Sequence, residues 1–180
     1  NLSPGSAVST SFDDSLVGGD GDDTLDGGGS LAGGNGDTLR GGKGNDLIYI
    51  RSSNDKVFEE IGQGYDTLIA NIDINLLSVA YANFEAVALY GTANNTVGGN
   101  NSANLIYGNV GDNTLVGLLG NDSLYGGAGR DSLDAGDGND YLEGGISAVL
   151  DQGDTMNGGA GNDTYVVYNR YDRVIDSTLA

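Results

Sequence analysis

The sequence has no cysteine, no histidine and no tryptophan, a single proline, and only 7 basic residues in 180. Each shortage closes an option. Without cysteine there are no disulfide staples, so if the protein works outside the cell something else must hold it together. Without histidine or cysteine, catalysis has little to work with, and no enzymatic activity is expected of these residues. Seven basic against 26 acidic residues leave a net charge of -19, which repels nucleic acid and anionic membrane surfaces and makes cations the natural partner. No run approaches the roughly 20 apolar residues of a membrane span. The opening NLSPGSAVSTSFDD lacks the basic and apolar regions of a signal peptide. Neither membrane insertion nor a targeting segment is expected here.

What the chain does have is glycine, 33 residues of it. So much glycine demands many turns, and points to an elongated repeat array rather than one globular core. A period of nine runs through the chain: GGDGDDTLD at 18–26, GGKGNDLIY at 41–49, GGAGRDSLD at 126–134, AGDGNDYLE at 135–143 and GGAGNDTYV at 158–166. Each copy reads Gly-Gly-x-Gly-x-Asp-x-apolar-x. Weaker copies keep the phase, pairing Asp14 with Leu16, Asp55 with Val57, Asp66 with Leu68, Asp122 with Leu124 and Asp172 with Val174. In two more, Asn104 with Ile106 and Asn113 with Leu115, an amide replaces the carboxylate.

A longer period is superimposed. Shifting Asp23, Asp37, Asp46 and Asp55 by 117 positions lands on Asp140, Asp154, Asp163 and Asp172. Units 27–40 and 144–157 are both fourteen residues long, nonapeptides with five residues inserted, and the insertion reads as a surface loop. Ala180 corresponds to Gln63 of the first copy, which suggests a piece of a longer repetitive protein. The expected organisation is a single array over 1–180, with a first nonapeptide block at 18–69, a spacer without the motif at 70–97 and a second block at 98–176.

In each repeat the first six positions are turn formers and the last three a short strand. Two repeats make an eighteen-residue coil, and stacked coils build an all-β solenoid, a parallel β-roll, with strands about 4.8 Å apart on two faces. The eighth position points inward. Leu16, Leu25, Leu39, Ile48, Leu68, Ile106, Leu115, Leu124, Leu133, Leu142 and Met156 are therefore the expected core, only two side chains wide. In the spacer, the alternation of IANIDI and FEAVALY continues the coil and should bury Ile72, Ile74, Phe84, Val87 and Leu89.

So thin a core in so glycine-rich a chain needs another cohesive term, and the sixth-position aspartates supply it. Ca²⁺ takes six to eight oxygen ligands at about 2.3–2.6 Å, and a tight glycine turn presents carbonyls beside a carboxylate. Loops one coil apart stack on one edge, so an ion between them ties adjacent coils. The expected pairs are Asp122 with Asp140, Asp131 with Asp154, Asp23 with Asp46, Asp14 with Asp37, Asp140 with Asp163 and Asn104 with Asp122, giving about six calcium ions.

These residues resemble the RTX, or haemolysin-type calcium-binding, repeat family. The resemblance implies a right-handed parallel β-roll. It also implies carbonyl ligands from the second and fourth positions, here Gly19, Gly21, Gly42, Gly44, Gly127, Gly129, Gly136, Gly138, Gly159 and Gly161, beside the aspartates. It further implies a secreted, extracellular or cell-surface protein, exported by type I secretion and folding on calcium outside the cell. Asn104, Asn113, the Gly117-Leu118-Leu119 stretch and the fourteen-residue units depart from the pattern, and sites touching them are expected to be weak or empty.

Other readings fit less well. A disordered acidic linker would not repeat aliphatics every nine residues. A phosphate-cradling loop would need a following Lys-Ser/Thr and a helix. Tyr107 and Tyr125, one coil apart, could stack on a sugar, but cross-strand packing accounts for them. The recurrent seventh-position Thr and Ser read as solvated β-formers. The alternative function is an adhesin or surface-layer module, binding a polysaccharide or a cell surface through the parent protein.

Overall fold

The computed structural model describes residues 6–8, 13–28, 35–146 and 153–176. The loop insertions expected within 27–40 and 144–157 fall largely on 29–34 and 147–152, outside the described residues. Among the described residues every regular element is a strand, and no helix is long and apolar enough to cross a membrane.

Successive strands alternate between two faces. One face is a nine-stranded sheet of β1 (Ser6–Val8), β3 (Thr24–Asp26), β5 (Leu47–Ile50), β7 (Thr67–Ala70), β9 (Ala86–Leu89), β11 (Leu105–Tyr107), β13 (Ser123–Gly127), β15 (Tyr141–Gly145) and β17 (Thr164–Val166). The other carries two sheets. The first contains β2 (Ser15–Asp20), β4 (Thr38–Lys43) and β6 (Lys56–Phe58); the second contains β8 (Ile74–Asn75), β10 (Thr96–Gly98), β12 (Thr114–Leu119), β14 (Ser132–Asp137), β16 (Thr155–Ala160) and β18 (Arg173–Ile175). All pairings are parallel, the arrangement a coiling chain must produce.

Register puts the eighth positions in two columns. On the nine-stranded face Leu25, Ile48, Leu68, Val87, Ile106, Leu124 and Leu142 stand in line. Opposite them, Ile74, Val97, Leu115, Leu133 and Met156 form a second line, with Leu39 and Val57 in the smaller sheet. All of these are at most 2% exposed. Leu16, on the outermost strand of its sheet, is only partly buried, and so is Ile72 in the spacer. Ile74, Phe84, Val87 and Leu89 are buried as the alternation requires. Ile50, Ala70, Leu76 and Ala135 extend the core beyond the eighth positions.

Coil length varies. Eighteen residues separate Leu105 from Ser123 and Thr114 from Ser132, but twenty-three separate Thr24 from Leu47 and Ser132 from Thr155, and nineteen separate Thr67 from Ala86. The extra residues fall in the chain between strands, so the strands stay in register. Through the spacer the nine-stranded sheet is continuous, while on the other face β6 and β8 do not pair and the sheet divides. Seventh-position residues point outward: none of Ser15, Thr24, Thr38, Thr67, Thr114, Ser123, Ser132, Thr155 and Thr164 is buried. Tyr107 and Tyr125 stack on each other at 4.6 Å between centroids and 17° between planes, so these rings pack across strands.

Candidate metal centre

The sixth-position residue stands at the end of each turn, just before the strand. Its backbone N–H donates to the carboxylate of the equivalent residue one coil on, which builds a ladder up each edge. On one edge the amides of Asp23, Asp46, Asn104, Asp122 and Asp140 donate to Oδ1 of Asp46, Asp66, Asp122, Asp140 and Asp163 at 2.7–3.0 Å. On the other, Asp14, Asp37, Asn113, Asp131 and Asp154 donate to Asp37, Asp55, Asp131, Asp154 and Asp172 at 2.7–3.1 Å. All six pairings expected from the spacing are therefore in contact.

The ladder consumes one oxygen of each accepting carboxylate. The other, Oδ2 of Asp46, Asp122, Asp131, Asp140 and Asp163, is buried and accepts no hydrogen bond, as is Oδ2 of Asp14 at the start of its ladder. An orphaned buried carboxylate oxygen is costly unless a cation or donor meets it. The described ion pairs lie elsewhere: Lys43 with Asp20, Arg51 with Asp26 and Arg130 with Asp112. None of these acids belongs to the ladders.

The first glycine of the repeat leaves room for these oxygens. A Cβ on Gly126 would lie 2.6 Å from Asp131 Oδ2 and 2.5 Å from the carbonyl of Gly144, one coil on. One on Gly117 would meet Asp122 Oδ2 and, at 2.5 Å, the carbonyl of Ala135. Oxygens of two coils thus converge where a side chain would intrude, and an all-oxygen donor set of carboxylates and carbonyls suits a hard divalent cation such as Ca²⁺.

Gly19, Gly42, Gly127, Gly136 and Gly159 at the second position have φ of 92–114°, and Gly21, Gly44, Gly129 and Gly161 at the fourth have 114–134°. This left-handed backbone is what glycine supplies without steric cost. Gly138 is not among the positive-φ residues, although it lies stacked against the Gly120 carbonyl. Leu118 takes φ 86° at a second position, so the coil imposes the turn even where the sequence lacks glycine.

Burial raises the pKa of these acids, with neighbouring carboxylates adding to it. Asp122 moves up to about 6 and Asp131 to about 7, and Asp37, Asp46, Asp140 and Asp154 also rise. Asp26 moves the other way, held down by its hydrogen bonds from Arg51. A carboxyl whose folded pKa exceeds its unfolded value favours folding at pH below the unfolded value, and loses that contribution as pH rises through the folded one. Metal-free protein is therefore expected to gain strand signal on acidification to about pH 4 and to lose it between about pH 5 and 7.5. With calcium present, protons compete for the same oxygens, and the calcium midpoint should rise as pH falls through this window. Circular dichroism against pH, with and without calcium, measures both, and a flat metal-free profile would refute the assignment.

Two kinds of loop close without such oxygens. Asp55 has Oδ2 filled by the amides of Arg51 and Ser52, and Asp172 by those of Tyr168 and Asn169. In the middle of the chain, Asn100 and Asn109 replace second-position glycines. Their side-chain Nδ2 groups donate to the carbonyls of Ala82 and Phe84, and of Tyr90 and Ala93, at 3.1–3.4 Å. An amide N–H here occupies carbonyls facing the loop.

The acids Asp46, Glu59 and Asp66 form a cluster whose ligand atoms all lie within 4.8 Å of one another. Glu59 does not stand out as a ligand in the nonapeptide pattern, because it falls on a first position, whereas Asp66 is the acid of a weaker copy that follows a loop lengthened by two residues.

A family model of the RTX calcium-binding nonapeptide repeat, four copies long, matches residues 8–30, 31–58, 90–124, 116–146 and 151–166. No curated protein and no solved structure gives a match. The matched segments cover more than half of the chain and include most of the loops whose oxygens converge, and the chain belongs to the RTX calcium-binding nonapeptide repeat family.

Proposed function

We propose that this calcium-binding repeat module folds when Ca²⁺ fills the edges of the roll, and serves as a structural, secretion-linked part of a larger protein that folds outside the cell. The ligands assigned are the carboxylates of Asp23, Asp37, Asp46, Asp122, Asp131, Asp140, Asp154 and Asp163, with carbonyls of the second- and fourth-position glycines, for about six ions. About six divalent ions would offset about twelve of the nineteen net negative charges. The observation that carries this reading is the ladder itself, in which one carboxylate oxygen joins two coils and the other is buried without a partner. No catalytic role is assigned, since the clustered acids are accounted for as ligands. Export by type I secretion fits a chain that stays unfolded where calcium is scarce and is ordered where it is plentiful.

Asp140→Ala against Asp55→Ala tests the reading. Asp140 links Asp122 to Asp163 and keeps Oδ2 unpartnered, whereas Asp55 has both oxygens filled by backbone amides. Calorimetric titration is expected to show Asp140→Ala losing one to two bound calcium ions per chain, and Asp55→Ala none. Equal losses would count against ions shared between stacked loops.

A further inference from the structure

At Gly18, Gly117 and Gly126 the two oxygens that converge on the first-position glycine are an aspartate Oδ2 and a backbone carbonyl from the next coil, that of Gly41, Ala135 and Gly144 respectively. Gly41 differs. The next coil carries Glu59 where a glycine belongs, and the atoms that crowd the Gly41 Cβ position are Asp46 Oδ2 and Glu59 Oε2. Both are buried without a hydrogen-bond partner, and Asp46 as a whole is only 2% exposed.

Glu59 is held in this pose from several sides. Its Oε1 accepts the amides of Gly42 at 3.3 Å and Glu60 at 3.2 Å, and its backbone carbonyl accepts Asn83 Nδ2 at 2.7 Å. These bonds leave Oε2 directed at Asp46. Asp66, 1% exposed, supplies the third carboxylate, and its Oδ1 accepts the Asp46 amide at 2.8 Å.

We propose that Asp46, Glu59 and Asp66 form a three-carboxylate site for a hard cation, which fills before the carbonyl-bearing stations. It rests on the reading that the edges of the roll bind calcium, and adds Glu59 as a ligand outside the repeat pattern. Exchanging a neutral carbonyl for a carboxylate raises the charge around the ion from about -2 to about -3, and affinity for Ca²⁺ rises with ligand charge. A trivalent lanthanide should gain more still, since the attraction scales with the product of the charges.

The test is calcium and terbium titration of the full chain by calorimetry and luminescence, comparing the unsubstituted protein with Glu59→Gln and Glu60→Gln. The unsubstituted chain is expected to show a first, tight step of about one ion. Glu59→Gln should weaken that step at least tenfold and leave later steps in place. Glu60→Gln removes the same charge from an exposed neighbour and should change the first step less than twofold. A first step unaltered by Glu59→Gln, or weakened equally by Glu60→Gln, would overturn the site. A readout that leaves the carboxylates intact is Tyr65→Phe, next to Asp66: tyrosine-excited emission from the first equivalent of terbium should fall at least twofold, and unchanged emission would also overturn it. If the unsubstituted chain bound no cation, the calcium reading of the whole edge would fall instead, so the two failures are separable.

Discussion

Stripping calcium with excess chelator is expected to abolish most of the strand signal, and restoring calcium at roughly 0.1–1 mM, the range typical of extracellular modules, should bring it back. The argument is electrostatic. With a net charge of -19, and with Asp46, Asp122, Asp131 and Asp140 carrying buried orphan oxygens, the metal-free roll stacks like charges at the spacing of adjacent strands. The hydrophobic core offers little to set against this, because each coil contributes only about two aliphatic side chains to the inner columns. Loss should not be uniform. Around Asn100 and Asn109 the amide groups already satisfy the carbonyls facing the loop, so hydrogen exchange should report the last protected amides in β9 and β11. Magnesium should not replace calcium, since it demands small octahedral sites and dehydrates reluctantly. A circular dichroism spectrum unchanged in chelator would overturn the dependence of the fold on metal.

That such a fold could be read from sequence follows from redundancy. An inward eighth position is a weak signal once, but recurring from Leu25 to Met156 in a single phase it determines strand, face and core together. The sixth-position acids were legible for the same reason, since the spacing that stacks the strands also stacks Asp122 on Asp140 and Asp131 on Asp154. What the pattern could not give lies where the chain departs from it. Glu59 beside Glu60 looks like a solvated charge pair, and only the fold turns its side chain back to Asp46. Asn100 and Asn109 act through Ala82, Phe84, Tyr90 and Ala93, sixteen to nineteen residues earlier in a stretch without the repeat. The division of one face between β6 and β8 falls where the first block gives way to the spacer, and no local propensity encodes it.

Replacing Leu133 with Asp is expected to disrupt the roll, while Ser132→Asp should be tolerated. Leu133 is 1% exposed and stands between Leu115 and Met156 in the inner column. Ser132, one residue earlier, is exposed between Thr114 and Thr155, because successive strand residues face opposite sides of a sheet. A carboxylate at 133 would be buried with no counter-charge, at a cost of several kcal/mol, and a core two side chains wide has no slack to turn it outward. Neutralising it by protonation would carry the same penalty at pH 7. At 132 the added charge meets water, and its proximity to the Asp131 edge should lower the calcium midpoint slightly if it changes it at all. Calcium-induced folding midpoints decide the comparison: Leu133→Asp should need at least tenfold more calcium or fail to fold, and Ser132→Asp should stay within about twofold of the parent. If Ser132→Asp proved the more damaging, the phase of the repeat would be wrong, and the assignment of the eighth position to the core and the sixth to the metal would fall with it.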